Sequence, residues 1–343
     1  MSVNRAPPRA VILGCAGPAL SDAERRLFGD ADPLGFILFE RNVDTPDRLR
    51  RLIAELREAV GRPEAPVLID QEGGRVARLR PPHWRQAPAA SRFGALYARD
   101  PGGATEAVRL NARLVAGELR DLGITVNCAP VLDVPVAGAH DVIGDRAFSR
   151  HPAAVAELGR ATCEGLLSGG VLPVLKHIPG HGRAEADSHV RLPVVEAPLA
   201  ELEAQDLVPF RALAEMPWAM TAHVVYAAVD AARPATLSRK VIESVIRGAI
   251  GFEGVLISDD LAMAALSGRP GERAAGAIAA GCDLVLHCTA DIGVMRSVAA
   301  AVGRLSGRGW ARVLGAAERV AAPPTGLEPD AAQARLDTLL AAA

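Results

Sequence analysis

Aromatic side chains are scarce: phenylalanine, tryptophan and tyrosine together make up 3% of the 343 residues. That argues against an all-β sandwich and against a carbohydrate-binding module built on stacking platforms. Positive charge is not in excess either. The 38 basic residues face 40 acidic ones, a formal net charge of −2, so no surplus exists to neutralise phosphates and nucleic-acid binding is not expected as the main role. No apolar run approaches the ~18 residues of a membrane span. The five cysteines, Cys15, Cys128, Cys163, Cys282 and Cys288, are odd in number and include no CxxC pair. This disfavours a disulfide framework or a structural zinc site and fits a reducing cytosol. Ile12-Leu13-Gly14-Cys15 resembles a lipoprotein cleavage box. The apolar stretch before Cys15 runs only from Ala10 to Leu13, short of the ~7–15 residues of a signal h-region. It reads instead as a first buried strand, and a cytoplasmic location is expected.

What the chain does have is material for a large core. Half of its residues are hydrophobic and 23% are charged, the composition of an ordinary globular protein. At ~150 residues per domain the length allows two domains, but a single α/β barrel commonly occupies ~250 or more. Runs at Ala10–Gly14, Gly35–Phe39, Val67–Asp70, Thr125–Ala129, Val171–Lys176, Trp218–Ala222, Gly254–Ser258 and Asp283–His287 read as strands. Each is nearly all apolar with little alternation, as expected for strands buried on both faces of a parallel sheet. Amphipathic stretches lie between them. Ser21 with Glu24 makes a capping box. Thr45-Pro46-Asp47 supplies an N-cap, a proline at N1 and an acid in the first turn, ahead of Leu49, Leu52, Ile53 and Leu56 at helical spacing. Thr105–Leu122, Pro152–Ser168, Leu199–Ala214, Arg239–Ile250, Gly271–Ala280 and Ile292–Leu305 behave similarly. Eight strand signals with helices between them predict an α/β fold, a single (β/α)8 TIM-type barrel spanning residues 1–308, with a doubly wound open sheet as the alternative. Residues 309–343 are Ala-rich, with a break at Ala322-Pro323-Pro324-Thr325-Gly326. They are too few for a second domain and are expected to form a helical tail, packed on the barrel or partly mobile.

In such a barrel the active site lies at the C-terminal ends of the strands. Polar residues recur at those ends: Asp70, Asn127, Asp133, Lys176-His177, His223 and Ser258-Asp259-Asp260. In Asp70-Gln71-Glu72-Gly73-Gly74-Arg75-Val76 the glycines permit a tight turn and close backbone approach to a ligand. The acids with Arg75 and Arg78 can form a buried ionic network or grip sugar hydroxyls; Asp70 and Arg78 are the functional candidates, and Glu72 with Arg75 reads as a loop-bracing ion pair. Lys176-His177-Ile178-Pro179-Gly180-His181-Gly182 continues as a polar loop to Asp187-Ser188-His189. Three of the chain's eight histidines fall within thirteen residues there, but Pro179, Gly180 and Gly182 preclude a helical metal pair. In a turn, Asp187 can hold the imidazole of His189 two residues on and stabilise its protonated form, making a proton donor at neutral pH. Of the adjacent Asp259 and Asp260, the site role goes to Asp259. Asp260 is expected to cap a helix through Leu261-Ala262-Met263. A metal-dependent hydrolase with Lys176, His223 and Asp259 as ligands is the alternative from another class; it lacks a His-x-His pair at the first strand, Val11–Gly14.

Together, Asp70-Gln71-Glu72-Gly73-Gly74-Arg75-Val76, Lys176-His177-Ile178-Pro179-Gly180-His181-Gly182, Asp187-Ser188-His189 and Ser258-Asp259-Asp260-Leu261 resemble the single-domain β-N-acetylglucosaminidases, or β-hexosaminidases, of glycoside hydrolase family 3. Phe36-Ile37-Leu38-Phe39-Glu40-Arg41-Asn42, Ala129-Pro130-Val131-Leu132-Asp133 and Ile143-Gly144-Asp145-Arg146 support the likeness, which spans about residues 8–300 in order. Ile178 stands where many relatives have Phe, and the tail beyond about Arg308 is not placed by the resemblance. The resemblance implies a retaining exo-enzyme that removes terminal GlcNAc from peptidoglycan turnover fragments, GlcNAc-anhydroMurNAc and its peptides, during cell-wall recycling. It implies Asp259 as the nucleophile of a covalent glycosyl-enzyme and His189, held by Asp187, as acid/base on a mobile loop. Asp70, Arg78, Arg146, Lys176 and His177 would bind the terminal GlcNAc, and His181, His223 and Met263 would shape the pocket. The chain lacks the additional C-terminal α/β domain of the family's β-glucosidases, which favours an N-acetylhexosaminide substrate. No metal or organic cofactor, nucleic acid or membrane partner is implied, and a monomer or weak dimer is expected. Phosphorolysis on the same scaffold is the alternative reaction, since a neutral histidine repels an incoming phosphate less than a carboxylate would.

Overall fold

Each of the eight apolar runs forms a strand in the computed structural model, which describes residues 6–138, 140–188, 190–320 and 326–341. The strands are β1 (Arg9–Leu13), β2 (Pro33–Leu38), β3 (Val67–Ile69), β4 (Val126–Asn127), β5 (Leu172–Ile178), β6 (Trp218–Thr221), β7 (Val255–Asp260) and β8 (Leu284–His287). Every strand pairs in parallel with its neighbour in the chain, and β8 closes onto β1 with Val11 opposite Val285 and Leu13 opposite His287. The result is the closed (β/α)8 barrel, not an open sheet.

The lack of alternation in the sequence has its reason in two cores. Side chains leave a strand on opposite faces in turn. Ile12, Ile37, Leu68, Val126, Val174, Met220, Ile257 and Leu286 point into the barrel. Their neighbours Val11, Leu13, Phe36, Leu38, Ile69, Leu175, Leu256 and Val285 pack outward against the helices. Burying such a side chain is worth about 1.5–3 kcal/mol, so both faces select apolar residues. The helix Gly307–Glu318 sets Val313 and Ala316 against the inner cluster beside Ala10, Leu34 and Leu172 at the strand starts, closing the N-terminal end of the barrel. The helix Pro329–Ala341 lays Leu336, Leu339 and Leu340 on the outer cluster. The C-terminal end is left for the site.

The Ser21/Glu24 capping box and the Thr45 cap are both present. The stretch read as one helix over Leu199–Ala214 is instead two, Leu199–Ala204 and Leu207–Ala212. The break falls at Gln205 and Asp206, whose side chains both turn to Arg183 in the loop after β5. Pro209 then has no N–H to continue the ladder. Val241–Ala249 winds wider than an α-helix, as a π-helix. A helix at Ala90–Tyr97 and a small sheet of Val194–Val195, Val225–Tyr226 and Asp230–Pro234 have no counterpart in the sequence reading. All five cysteines are buried, free thiols, Cys15 among them just beyond β1. Among the described residues no helix is long and apolar enough to cross a membrane.

Candidate active site

At the C-terminal end of the barrel, side chains from several strands enclose a cavity of about 170 Å³. Asp259 reaches it from β7, and Asp70, just past β3, faces it with Glu72, Arg78, Arg146, Lys176 and His177. Asp259 Oδ1 accepts the N–H of Asp260 at 2.8 Å. Burial alone would raise its pKa. The nearby His223 and His177, that N–H and Lys176 outweigh the burial and hold the carboxyl below its ordinary value. Asp259 is therefore an ionised carboxylate on the cavity wall, the state required of a nucleophile.

The remaining charges are matched pair by pair. Lys176 Nζ lies 2.9 Å from Asp70 Oδ1 and 2.6 Å from Glu72 Oε1. Asp70 Oδ2 accepts from Arg78 at 3.1 Å, and Glu72 takes Arg146 bidentately at 2.9 and 2.8 Å. Burial would strip Lys176 of its proton, but Asp70 and Glu72 raise its pKa above the ordinary lysine value. The chain has only two lysines, and it places one here. The Lys176 ammonium is a compact point charge with three rotatable donors, enough to serve both carboxylates. The side chains of this network present N–H donors and fixed charges to the cavity, which the ring of His177 also lines, a surface suited to a polyhydroxylated ligand.

The comparisons with known proteins agree on one family. Residues 15–322 match the glycosyl hydrolase family 3 N terminal domain. The chain belongs to glycoside hydrolase family 3. A Beta-hexosaminidase of Alkalilimnicola ehrlichii is 44% identical over 282 residues, 81% of this chain and 80% of that protein. One from Xanthomonas campestris pv. campestris is 42% identical over 298 residues, covering 86% and 88%. The crystal structure of NagZ from Neisseria gonorrhoeae in complex with N-trifluoroacetyl-D-glucosamine superposes with a TM-score of 0.87 at 36% identity, over 98% of this chain and 100% of that one.

Of the residues picked out in the sequence of this family 3 enzyme, Asp70, Arg78, Arg146, Lys176, His177, His181, Met263 and Asp259 line the one cavity. His223 does not. It is fully buried behind β7, where Nε2 donates to the Asp260 carbonyl at 2.9 Å and Nδ1 meets Thr236 Oγ1 at 2.7 Å. It acts on the pocket from behind the wall, through that strand and through its proximity to Asp259. Asp187 is half-buried off the cavity wall, and its carbonyl accepts the N–H groups of Val190 and Arg191. His189 lies outside the described residues. Ser188, which the sequence reading passed over, lines the cavity, its Oγ 3.3 Å from His181 Nε2. Burial, with help from the adjacent His177, pushes His181 down to about 4, so it is neutral at physiological pH.

Three expectations are corrected. Asp260 caps no helix: its Oδ1 accepts from Ala262 and Cys288, tying β7 to the end of β8, and the next helix begins only at Pro270. Glu72 does not pair with Arg75. Arg75 goes to Asp145 and to the carbonyls of Asp141, Val142 and Ile143. The set of Lys176, His223 and Asp259 is unsuited to a metal, because Lys176 is held protonated between two carboxylates and both nitrogens of His223 are engaged. The second correction has a measurable consequence. Glu72→Ala leaves the largely buried Arg146 without its carboxylate and takes one of two from Lys176, and should cost about 3 kcal/mol or more. Arg75→Ala breaks a pair whose side chains are 45% and 43% exposed and should cost under ~1 kcal/mol. Urea denaturation of both variants checks this; equal losses would contradict the assignment of Glu72 to the network.

Proposed function

We propose that this enzyme, a β-N-acetylhexosaminidase of family 3, is a retaining exo-β-N-acetylglucosaminidase. It removes non-reducing terminal GlcNAc from peptidoglycan turnover fragments, GlcNAc-anhydroMurNAc and its peptides, in the cytoplasm during cell-wall recycling. The observation that carries the reading is the ionised Asp259 on the wall of a small cavity at the end of the barrel, facing the Asp70, Glu72, Arg78, Arg146 and Lys176 array. A cavity of about 170 Å³ suits one sugar ring, hence an end-acting enzyme. The free, buried thiols fit a reducing compartment.

In this mechanism a carboxylate oxygen of Asp259 attacks the anomeric carbon as its bond to the aglycone oxygen breaks. His189, oriented by Asp187, gives that oxygen its proton. The neutral imidazole then takes a proton from water, whose oxygen attacks the same carbon and frees Asp259. Asp70, Arg78, Arg146, Lys176 and His177 hold the terminal sugar.

The test compares a chromogenic β-GlcNAc glycoside with the matching β-glucoside, with and without phosphate. The GlcNAc compound should be preferred by ~10²-fold or more, giving free GlcNAc in either buffer. Preference for the glucoside, or GlcNAc-1-phosphate in phosphate buffer, would overturn the substrate or the reaction respectively.

A further inference from the structure

Two histidines of the cavity wall hang from one carboxylate that the mechanism above does not use. Asp133, beyond the end of β4, is completely buried. Its Oδ1 accepts the backbone N–H groups of His177 at 3.2 Å and His181 at 2.6 Å, and its Oδ2 lies 2.7 Å from Nδ1 of His177. Burial would raise the Asp133 carboxyl, but His177 and His181 outweigh it and bring it down to about 2. An ionised carboxylate only accepts hydrogen bonds, so the proton between the two residues sits on Nδ1. The other ring nitrogen, Nε2, has no partner among the described residues and is not sealed off, while the ring lines the cavity.

Arg78, Arg146 and Lys176 can only donate, and each oxygen of Asp70 and Glu72 already accepts from at least one of those cations, so Nε2 adds a neutral acceptor that no cation occupies. A sugar hydroxyl donates as well as accepts. In its neutral form, with Nδ1–H fixed, His177 presents a lone pair at Nε2 to receive that proton.

We propose that Asp133 is a positioning residue, which fixes the His177 ring as the Nδ1–H tautomer so that Nε2 accepts a hydroxyl of the bound sugar. The kinetic part rests on the sugar-binding reading of the cavity; the tautomer does not. Asp133→Asn separates the two tautomers. Its amide oxygen can still take the two backbone N–H groups, which turns its NH2 toward Nδ1 and drives the ring proton to Nε2.

The test is long-range 1H–15N NMR of protein labelled in its imidazoles, with kinetics on the chromogenic β-GlcNAc glycoside. His177 should be Nδ1–H in the native protein and Nε2–H in Asp133→Asn. The substitution should lower kcat/KM roughly 100-fold, yet less than about twofold when introduced into His177→Ala, because its effect passes through that ring. An Nε2–H tautomer in the native protein overturns the proposal, as does an equal loss in both backgrounds. Should Asp133→Asn not fold, the native tautomer decides. The expected tautomer with no turnover of the GlcNAc glycoside would count against the substrate and leave the positioning of the ring standing.

Discussion

Asp259→Asn is expected to leave a folded protein with turnover reduced on the order of 10⁴-fold or more. The substitution keeps the size of the side chain and an oxygen to accept the Asp260 N–H, so stability should change little. It removes the charge and the nucleophilic oxygen, for which the described cavity offers no replacement. Asp70 and Glu72 are each bound to two cations, and Asp260 is committed to the N–H groups of Ala262 and Cys288. The direction of the pKa shift adds a second expectation. A carboxyl held below its ordinary value stays ionised through mildly acidic pH and loses its charge only as pH falls through that lowered value. The acid limb of kcat/KM should therefore lie below the usual carboxylate range. A variant that retained a tenth of native activity would point to a different nucleophile.

His189→Ala is expected to show the second largest effect, and an effect that depends on the leaving group. A sugar aglycone leaves poorly without a proton, and loss of a positioned general acid should slow it by ~10²–10⁴-fold. A dinitrophenyl aglycone needs little protonation and should suffer less in the first step. Its second step should then become limiting, and external azide should rescue it as a glycosyl azide. Asp187→Ala should act in the same direction but more weakly, hurting poor leaving groups most. Equal slowing of activated and natural aglycones, with no response to azide, would make the Asp187-Ser188-His189 segment a structural brace. The acid would then have to be sought among the cavity groups.

The barrel was legible because both faces of its strands demand apolar residues, which leaves short, unbroken runs. The ends were less so. β5 and β7 continue through Lys176-His177 and Ser258-Asp259-Asp260, where the cavity replaces the packed core and polar side chains become tolerable. Those same polar residues at the tops of apolar strands exposed Asp70, Lys176, His177 and Asp259 as a site. What stayed hidden is the pairing. Glu72 stands three residues from Arg75, and local spacing suggests a pair, yet its partners are Arg146, 74 residues away, and Lys176. Asp133 was visible as a polar residue after a strand, but its work depends on His177, 44 residues on and brought alongside only by closure of the barrel. The small sheet beside the site is built of strands of two to five residues, too short to show a period.

The identity of the covalent partner is the claim on which the rest depends. Incubation with a 2-fluoro or 5-fluoro N-acetylglucosaminyl reagent, which forms the glycosyl-enzyme faster than it is hydrolysed, followed by proteolysis and peptide mass spectrometry, reads it directly. One sugar should be found per chain, on the Val255–Asp260 segment and attached to Asp259. A sugar on Asp70 or Asp260, or no adduct from a reagent that is nonetheless turned over, would contradict the assignment of Asp259 as the nucleophile.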